Sequence, residues 1–462
     1  MTLIVETPDV RPSEWAYILD VVLRDWLGLD FQHTATDRSN VCIGISGSER
    51  KLLICANFLS MPSKLWLDPR TLPKLPLREC NLTSLKGANP EITCTPVIYG
   101  SDGSATVSQD RVELPLDIFG SAFFSLTRYE EFVRPERDQH DRFPASASTA
   151  HKAALLERPI IDEYCEILWR AIEHLWPGLK RRTHHFQALV SHDVDAAGKY
   201  CMVPLTSGLR ASAIDLVKRR SPLTALSGLQ ISLFQRNTLA SADPFNTFDW
   251  LMDVSERHGL ASAFYFICGR TDPVRDAAYE PENVNIRRLL RSISQRGHEV
   301  GLHPSYNTYR DPTAIQNEAE RLQKVCREEG VGQKQMGGRM HYLRWDQRIT
   351  PAAWEAAGMN YDSTLGFADR AGFRCGTGRE FQAFDLEKGR PLELKFRPLI
   401  AMERSVMDLQ YMGLGNGAAA FDAFARLKAV TRRYNGNFTL LWHNSSLNSA
   451  DDRELYQQVL AA

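Results

Sequence analysis

Strand-like and helix-like segments alternate along the chain from about residue 186 onwards. Short apolar runs, typical of buried strands, are separated by stretches whose apolar residues recur at helical spacing. The predicted strands are 186–192, 261–267, 298–303, 335–341, 359–363, 392–396 and 438–443. The predicted helices are 248–257, 284–295, 312–329, 351–357 and 418–434. About seven strand–helix units in succession predict an α/β fold with a parallel sheet, closed as a (β/α)7 barrel.

The region before residue 180 has a different pattern of apolar and polar residues. Short strand-like runs and proline-rich turns come first, and the pattern then becomes helical. We therefore predict an N-terminal α+β domain at 1–180, of unknown role, and a barrel domain at 186–450. The stretch 198–243, rich in Arg, Leu and Ser, interrupts the barrel pattern and predicts a helical insertion. A lid or packing element is the preferred interpretation, with a dimer contact or a membrane-surface element as alternatives.

The composition is that of an ordinary globular protein with a substantial core. The chain has 462 residues, 43% of them hydrophobic and 24% charged, with a formal net charge of −1. The short basic runs at 180–182 and 218–220 are typical of solvated faces, so we expect no nucleic-acid partner. No run of about 18 apolar residues occurs, and the first residues do not resemble a signal peptide. We therefore predict a cytoplasmic protein with no transmembrane segment.

Two carboxylates follow the first strand of the barrel region. Asp193 and Asp195 stand two positions apart, and side chains two apart on a strand point the same way. Two like charges at that separation need a metal ion or a shared proton. Because barrel enzymes keep their chemistry at the carboxyl ends of strands, this pair marks a candidate site.

The ends of other predicted strands supply possible partners for the aspartates. His303 ends the third strand, and Asn307 follows four residues later, a spacing that can bring both side chains to one ion if the chain turns helical. His443 ends the last strand and is a candidate general acid or base, since the histidine pKa lies near neutrality. Arg339 ends the fourth strand, where backbone amides could also stabilise an oxyanion.

Together these residues resemble the polysaccharide deacetylase superfamily, the NodB-like carbohydrate esterases of family four. The Asp-x-Asp pair, His303 and the Leu-x-His ending in His443 match three of the family's five motifs. The sequence Arg-Met-His-Tyr at 339–342 approximates the family's Arg-x-Pro-Tyr, with His341 in place of the proline. Asn307 stands where the family has its second metal-binding histidine. The resemblance covers residues 186–446 and implies a distorted barrel of the NodB type.

The resemblance also implies a role for each residue. A divalent metal, with zinc favoured, would be held by Asp195, His303 and Asn307, while Asp193 would accept a proton from water. His443 would protonate the leaving amine. The remaining catalytic candidates are Arg339 and Tyr342, the latter through its backbone amide, and the substrate-binding candidates are Arg374, Asp362 and Trp442. We expect His192, His298 and His341 to be structural.

The whole chain is similar to a subgroup encoded with bacterial surface-polysaccharide genes, on the strength of segments 123–131 and 138–144. This implies a hydrolase that removes an N-acetyl or N-formyl group from an amino sugar during O-antigen, capsule or lipopolysaccharide biosynthesis. The implied partner is an amino-sugar glycan or its nucleotide- or lipid-linked precursor, and peripheral membrane contact is compatible with it.

Two other functions remain open from the sequence. Asn307 in place of a metal-binding histidine would suit a catalytically silent carbohydrate-binding or scaffold protein of the same fold. A metal-independent amide hydrolase using Asp193 and His443 is the third possibility.

Overall fold

The computed structural model describes residues 2–87 and 92–462. Two large β-sheets, each with helices packed on it, share one contiguous hydrophobic core. The class is therefore α/β, with parallel strand pairs in both sheets.

The N-terminal sheet is mixed and has six strands. Its spatial order is β2-β1-β3-β4-β8-β7, in which β1 with β2 and β4 with β8 are the parallel pairs. The strands of this region, including a separate two-stranded hairpin of β5 and β6, are β1 (Leu3–Pro8), β2 (Phe31–Thr36), β3 (Asn40–Ile45), β4 (Lys51–Cys55), β5 (Arg78–Asn81), β6 (Cys94–Val97), β7 (Thr106–Val107) and β8 (Arg111–Leu114).

Helices cover this sheet because apolar residues line its strands on one side or both. The helices are α1 (Pro12–Leu19), α2 (Ile118–Leu126), α3 (Tyr129–Val133), α4 (Thr149–Lys152) and α5 (Ile160–Leu175). All nine residues of α2 are buried, which makes it a core helix. It begins at Asp117, whose carboxylate accepts hydrogen bonds from the backbone N–H of Gly120, Asn57 and Phe58 at 2.7–2.8 Å.

The second sheet has nine strands in the order β14-β15-β13-β12-β11-β10-β9-β17-β16. Every neighbouring pair is parallel except β14 with β15. The strands are β9 (Gln187–Val194), β10 (Ser262–Ile267), β11 (Glu299–His303), β12 (Gly337–Gly338), β13 (Tyr361–Asp362), β14 (Phe381–Asp385), β15 (Arg390–Phe396), β16 (Ala401–Met402) and β17 (Asn437–Leu441). Since β14 and β16 stand at the two ends of this order, closure into a barrel stays a prediction.

Helices connect the parallel strands, as the sequence pattern predicts. They are α8 (Phe248–Arg257), α9 (Val284–Gln295), α10 (Pro312–Glu328), α11 (Thr350–Ala356), α12 (Glu403–Met407) and α13 (Ala418–Arg433), and α14 (Ala450–Ala461) follows the last strand. The predicted bounds of α8 and α9 match the structure, those of α10 and α13 differ by one residue at the end, and those of α11 differ by one residue at both ends. Amphipathic spacing is a local property, which is why it locates these helices well.

Strand β12 is much shorter than the predicted strand 335–341. A side chain on Gly338 would place its Cβ 1.8 Å from the Leu302 carbonyl oxygen, and one on Gly337 would meet the Tyr361 ring at 2.4 Å. The two glycines therefore let β12 pass closely between β11 and β13. After two residues the chain leaves the sheet and turns across its carboxyl edge.

The region of the predicted insertion contains α6 (Leu205–Val217) and α7 (Pro222–Gln230), the latter continuing into a π-helical turn at Ile231–Gln235. Within the described residues, no helix has both the length and the apolar character needed to cross a membrane.

Candidate active site

The cleft at the carboxyl edge of the nine-stranded sheet has a volume of about 210 Å³. Parallel pairing brings the ends of β9, β11, β12 and β17 to this one edge. The residues that line the cleft are His140, Arg142, Asp193, Asp195, His303, His341, Tyr342, Leu343, Met402, Arg404, Gln410, Tyr411, Leu441 and His443. Residues far apart in the sequence are thus assembled where parallel sheets usually bind ligands.

Asp193 is buried and held in one orientation by Arg339. The Arg339 Nη1 donates to Asp193 Oδ1 at 2.7 Å. The remaining guanidinium donors bond to the Ser363 carbonyl at 2.9 Å and to the hydroxyls of Ser191 and Ser363 at 3.0 and 3.1 Å. Arg339 is fully buried and is not among the described residues that line the cleft, and its bond to Asp193 fixes that carboxylate from beneath. The other carboxylate oxygen, Oδ2, lies 3.7 Å from His303 Nε2.

Three histidines point their Nε2 atoms at Asp195. The distances from the Asp195 carboxylate are 3.3 Å to His303, 3.5 Å to His341 and 3.6 Å to His443. The first two histidines approach Oδ1 and the third approaches Oδ2. All three distances exceed the 2.7–2.9 Å usual for a charge-assisted hydrogen bond.

A hydrogen bond at Nδ1 fixes each of these imidazole rings. His303 Nδ1 lies 2.6 Å from the Arg339 carbonyl oxygen, and His341 Nδ1 lies 3.0 Å from Asp276 Oδ1. Because both partners are acceptors, Nδ1 carries the proton in each ring. In its neutral form each ring would direct its Nε2 lone pair toward Asp195, the arrangement typical of metal-binding histidines.

Asp195, His303 and His341 form a group that could hold a metal ion, with one ligand atom from each lying within 4.8 Å of the others. Asp195 Oδ1 and His341 Nε2 are buried and have no hydrogen-bond partner among the described residues. Such unpartnered atoms are costly unless a ligand meets them. Two ligands at 2.0–2.1 Å from a tetrahedral zinc ion are roughly 3.3 Å apart, close to the 3.3 and 3.5 Å between Asp195 Oδ1 and the two imidazoles. The donor set therefore fits a divalent ion.

His443 faces this group from the last strand and is paired with Glu403. Its Nδ1 lies 2.6 Å from Glu403 Oε1, which also accepts from the His443 backbone N–H at 3.2 Å. Burial alone would lower the pKa of His443, but the Glu403 and Asp195 carboxylates outweigh it and raise the pKa. Conversely, burial would raise the pKa of Asp195, but His443, His341 and His303 hold it well below its usual range. The site thus favours an imidazolium at His443 beside an ionised Asp195.

Asn307 does not join the group, in contrast to the sequence interpretation. It is exposed, its Nδ2 donates to the Thr271 carbonyl at 3.1 Å and its Oδ1 accepts from Arg344 at 3.1 Å. His341, which we expected to be structural, lies beside Asp195 instead. The chain turns into a short 3-10 segment, Thr308–Arg310, after Asn307, so the helical geometry that would direct residue 307 back toward residue 303 is absent at that point.

The structure places the predicted substrate-binding residues outside the cleft. Arg374 is buried against the N-terminal region, where it forms a two-point ion pair with Glu131 at 2.5 and 2.9 Å. Asp362 is buried at the end of β13, bonded to the Thr364 backbone N–H at 2.8 Å, and burial raises its pKa to about 6. Trp442 is fully buried between Phe424 and Tyr456.

Tyr342 does line the cleft, and its backbone is unusual. Its φ of 61° and the 57° of Leu343 are both left-handed values, and such strain at non-glycine residues clusters at functional sites. Arg142 donates to the Tyr342 carbonyl at 3.1 Å and so holds this turn in place.

The N-terminal region contributes His140 and Arg142 to the cleft, which sequence reasoning did not assign to the site. Arg344 donates to the His140 carbonyl at 2.8 Å, and His140 Nδ1 lies 2.9 Å from the Tyr306 hydroxyl. Glu403, Asp276 and Arg404 were also missed. Segment 138–144 carries part of the family resemblance. Its His and Arg residues are the sequence signal that points to a contribution of this segment to the cleft.

Comparisons with known proteins give one family match and one distant structural match. Residues 3–177 match the model of a family of unknown function, DUF7033. No curated protein matches the chain. A solved structure from Mycobacterium smegmatis, provisionally described as a polysaccharide deacetylase, is 17% identical, with a TM-score of 0.38 over 61% of this chain and 84% of that one.

Proposed function

We propose that the protein is a metal-dependent hydrolase that removes an N-acetyl or N-formyl group from an amino sugar used in bacterial surface-polysaccharide assembly. The observation that carries this proposal is the Asp195–His303–His341 group, with a positioned carboxylate, Asp193, on one side and an imidazolium, His443, on the other. The motif order noted in the sequence supports the same superfamily, and the nine-stranded sheet would then be its distorted barrel.

Asp195, His303 and His341 would hold the metal ion, in place of the predicted set that included Asn307. A divalent ion bound there would lower the pKa of water and polarise the amide carbonyl. Two imidazoles and one carboxylate suit zinc, which takes three protein ligands in catalytic sites.

Two residues of the chain carry out the two proton transfers, one from the attacking water and one to the leaving amine. Asp193 Oδ2, which is not bonded to Arg339, accepts a proton from the attacking water. The water oxygen bonds to the amide carbonyl carbon in the same step. The Tyr342 backbone amide is the candidate donor to the oxyanion that forms. His443, charged through its pairing with Glu403, donates its Nε2 proton to the departing amine as the carbon–nitrogen bond breaks.

The cleft chemistry also suits a substrate with an anionic group. Arg404, whose side chain is 43% exposed, lines the cleft with His140, whereas Asp193 and Asp195 lie at its base. Arginines are well matched to phosphate oxygens. A nucleotide- or lipid-linked amino sugar carries such phosphates beside the sugar, so we favour a linked precursor over a finished polymer.

The competing function is a catalytically silent carbohydrate-binding or scaffold protein. Its main support from the sequence is Asn307, which stands in place of a metal-binding histidine. With His341 beside Asp195, the site has a second imidazole without Asn307, so that argument is weakened. A metal-independent amide hydrolase would need only Asp193 and His443, which leaves the unpartnered Asp195 Oδ1 and His341 Nε2 unexplained.

The test is acetate or formate release from a panel of N-acylated amino sugars, free and linked to nucleotide diphosphates, by protein purified without chelators. We expect release that stops on chelation, returns with zinc and is lost in Asp193→Asn. Activity that survives exhaustive chelation would favour the metal-independent enzyme, and a metal-loaded protein inactive on every substrate would favour the binding protein.

A further inference from the structure

The helical pair formed by α6, α7 and the turn Ile231–Gln235 exposes most of the large apolar surface of the molecule. Of the thirteen large apolar side chains that the described residues expose, eight lie between residues 214 and 234. They are Ile214, Leu216, Val217, Leu223, Leu226, Leu229, Leu233 and Phe234, and we call them the apolar patch. The most exposed are Leu223 at 81% and Phe234 at 80%. A concentration of this kind marks an interaction site.

The packing of this helical pair is reversed relative to an ordinary amphipathic helix. Seven of its residues are buried, and all but Asp215 and Ile231 are small: Gly208, Ser212, Ala225, Gly228 and Ser232. A Cβ on Gly208 would lie 2.4 Å from the Ser232 hydroxyl, and one on Gly228 would lie 2.6 Å from the Tyr200 ring. The helices therefore approach each other through small residues and direct their leucines outward, as helices in a lipid environment do.

The exposed charged residues of this helical pair are all basic. Between residues 205 and 235 the basic residues are Arg210, Lys218, Arg219 and Arg220, all exposed. The one acidic residue, Asp215, is buried and bonded to Lys199 and the Tyr200 hydroxyl, and it pairs with Arg219 at 3.3 Å. Within this segment, cations thus flank the apolar patch without exposed anions. Apolar side chains framed by Lys and Arg are characteristic of segments that lie in the interface of an anionic bilayer.

The insertion is also tied to the catalytic end of the sheet. The Asn444 side chain donates to the Ala196 carbonyl at 2.9 Å and to the Phe245 carbonyl at 2.8 Å, so it joins the two ends of the insertion directly beside His443. None of the described residues that line the cleft belongs to the insertion, so it does not cover the cleft as a lid would.

We propose that the apolar patch and its flanking cations dock this protein onto the surface of a bilayer that contains anionic lipids. The helices lie along the interface, since none of those described is long enough to cross it. A second copy of the chain fits this surface less well, because a twofold contact would bring the same cations together. In a consequence that rests on the proposed function, docking through this patch places the cleft near amino sugars carried on membrane lipids.

The experiment is co-sedimentation of the full chain with vesicles of phosphatidylcholine, with or without phosphatidylglycerol. We expect binding to the anionic vesicles that weakens as salt is raised. The pair Leu223→Gln/Phe234→Gln should reduce the partition coefficient about tenfold or more, since each side chain buries most of its apolar surface in the interface. The matched pair Val274→Gln/Val284→Gln, also exposed at 88% and 56% but outside the patch, should bind as the wild type does.

The electrostatic part is tested by Arg210→Glu/Lys218→Glu against Lys324→Glu/Arg327→Glu, two exposed cations of α10. Only the first pair should lose vesicle binding. The proposal is overturned if the wild type stays in the supernatant with anionic vesicles, if both apolar pairs lose binding equally, or if Leu223→Gln/Phe234→Gln only converts a dimer to a monomer in sedimentation velocity. Asp193→Asn should bind vesicles normally, so failure of the proposed chemistry and failure of docking are separable.

Discussion

Replacing His341 with alanine removes one of the three side chains that we propose as metal ligands. Its Nε2 is buried, unpartnered and 3.5 Å from Asp195 Oδ1, while Nδ1 is held by Asp276 at 3.0 Å. Loss of a partner that only orients a ligand costs about 10–100-fold in metal affinity. Loss of the ligand itself should therefore cost at least about 100-fold, or roughly 2.7 kcal/mol.

The assay has two stages and three variants. Elemental analysis of protein purified without chelators or a metal-binding tag gives occupancy, and zinc competition against a fluorescent chelator gives affinity. Asn307→Ala is the matched control and should bind zinc as the wild type does, since its amide bonds to Thr271 and Arg344 and lies outside the group. Asp276→Asn should show an intermediate loss of about 10–100-fold, because it perturbs only the orientation of His341.

The reasoning is refuted if Asn307→Ala loses zinc while His341→Ala retains it. It is also refuted if both variants bind zinc as tightly as the wild type, since the ion would then lie elsewhere. Because His341 is buried, urea unfolding of each variant must show that the fold persists, and His341→Gln offers a second variant that leaves a smaller cavity.

Three further predictions concern residues outside the metal group. Arg374→Met should lower the free energy of unfolding in urea by about 1.5–3 kcal/mol, because it removes the two charge-assisted hydrogen bonds of Arg374 to the buried Glu131 carboxylate, which keeps its bond to Arg128 at 2.8 Å; a change close to zero would contradict the ion-pair role. Trp442→Phe should lower the melting temperature without changing KM for any substrate found, and a raised KM at unchanged stability would restore its predicted substrate role. Burial lowers the pKa of Lys428 to about 8, below its ordinary 10.5. Between these two pH values the folded state binds fewer protons than the unfolded state, so the free energy of unfolding rises with pH in this window. Lys428→Met should therefore lose more stability relative to wild type at pH 10 than at pH 7.5 in urea unfolding, and an equal difference at both pH values would contradict this.

Helices were more predictable from sequence than strands. The bounds of α8 and α9 follow from apolar residues at helical spacing within each segment alone. Strand β12 was predicted as seven residues, but two are paired, because pairing depends on how closely β11 and β13 approach. The length of a strand depends on the strands that pair with it, and a local sequence pattern carries no information about those strands.

The candidate site divides in the same way. That Asp193, Asp195, His303 and His443 stand at strand ends is visible in the sequence, and parallel strands carry such residues to one edge. The expectation that Asn307 would complete the set relied on a helical turn that the chain does not make there. From the sequence, His341 is expected to be structural, and in the resembling motif its position is that of a proline.

The sequence by itself determined the alternation of strands and helices, the helix bounds and the carboxylates and imidazoles at the strand ends, since each depends on residues close together in the chain. Tertiary structure decided the rest. The path of the chain after the two-residue β12 brings His341 beside Asp195, and the N-terminal region adds His140 and Arg142 to the cleft. Likewise, Gly208 and Gly228 look like helix weaknesses in the sequence, and only the packed structure shows that they let the helices meet and leave the leucines outside. Which atoms face one another depends on contacts between distant segments, and no local pattern records those contacts.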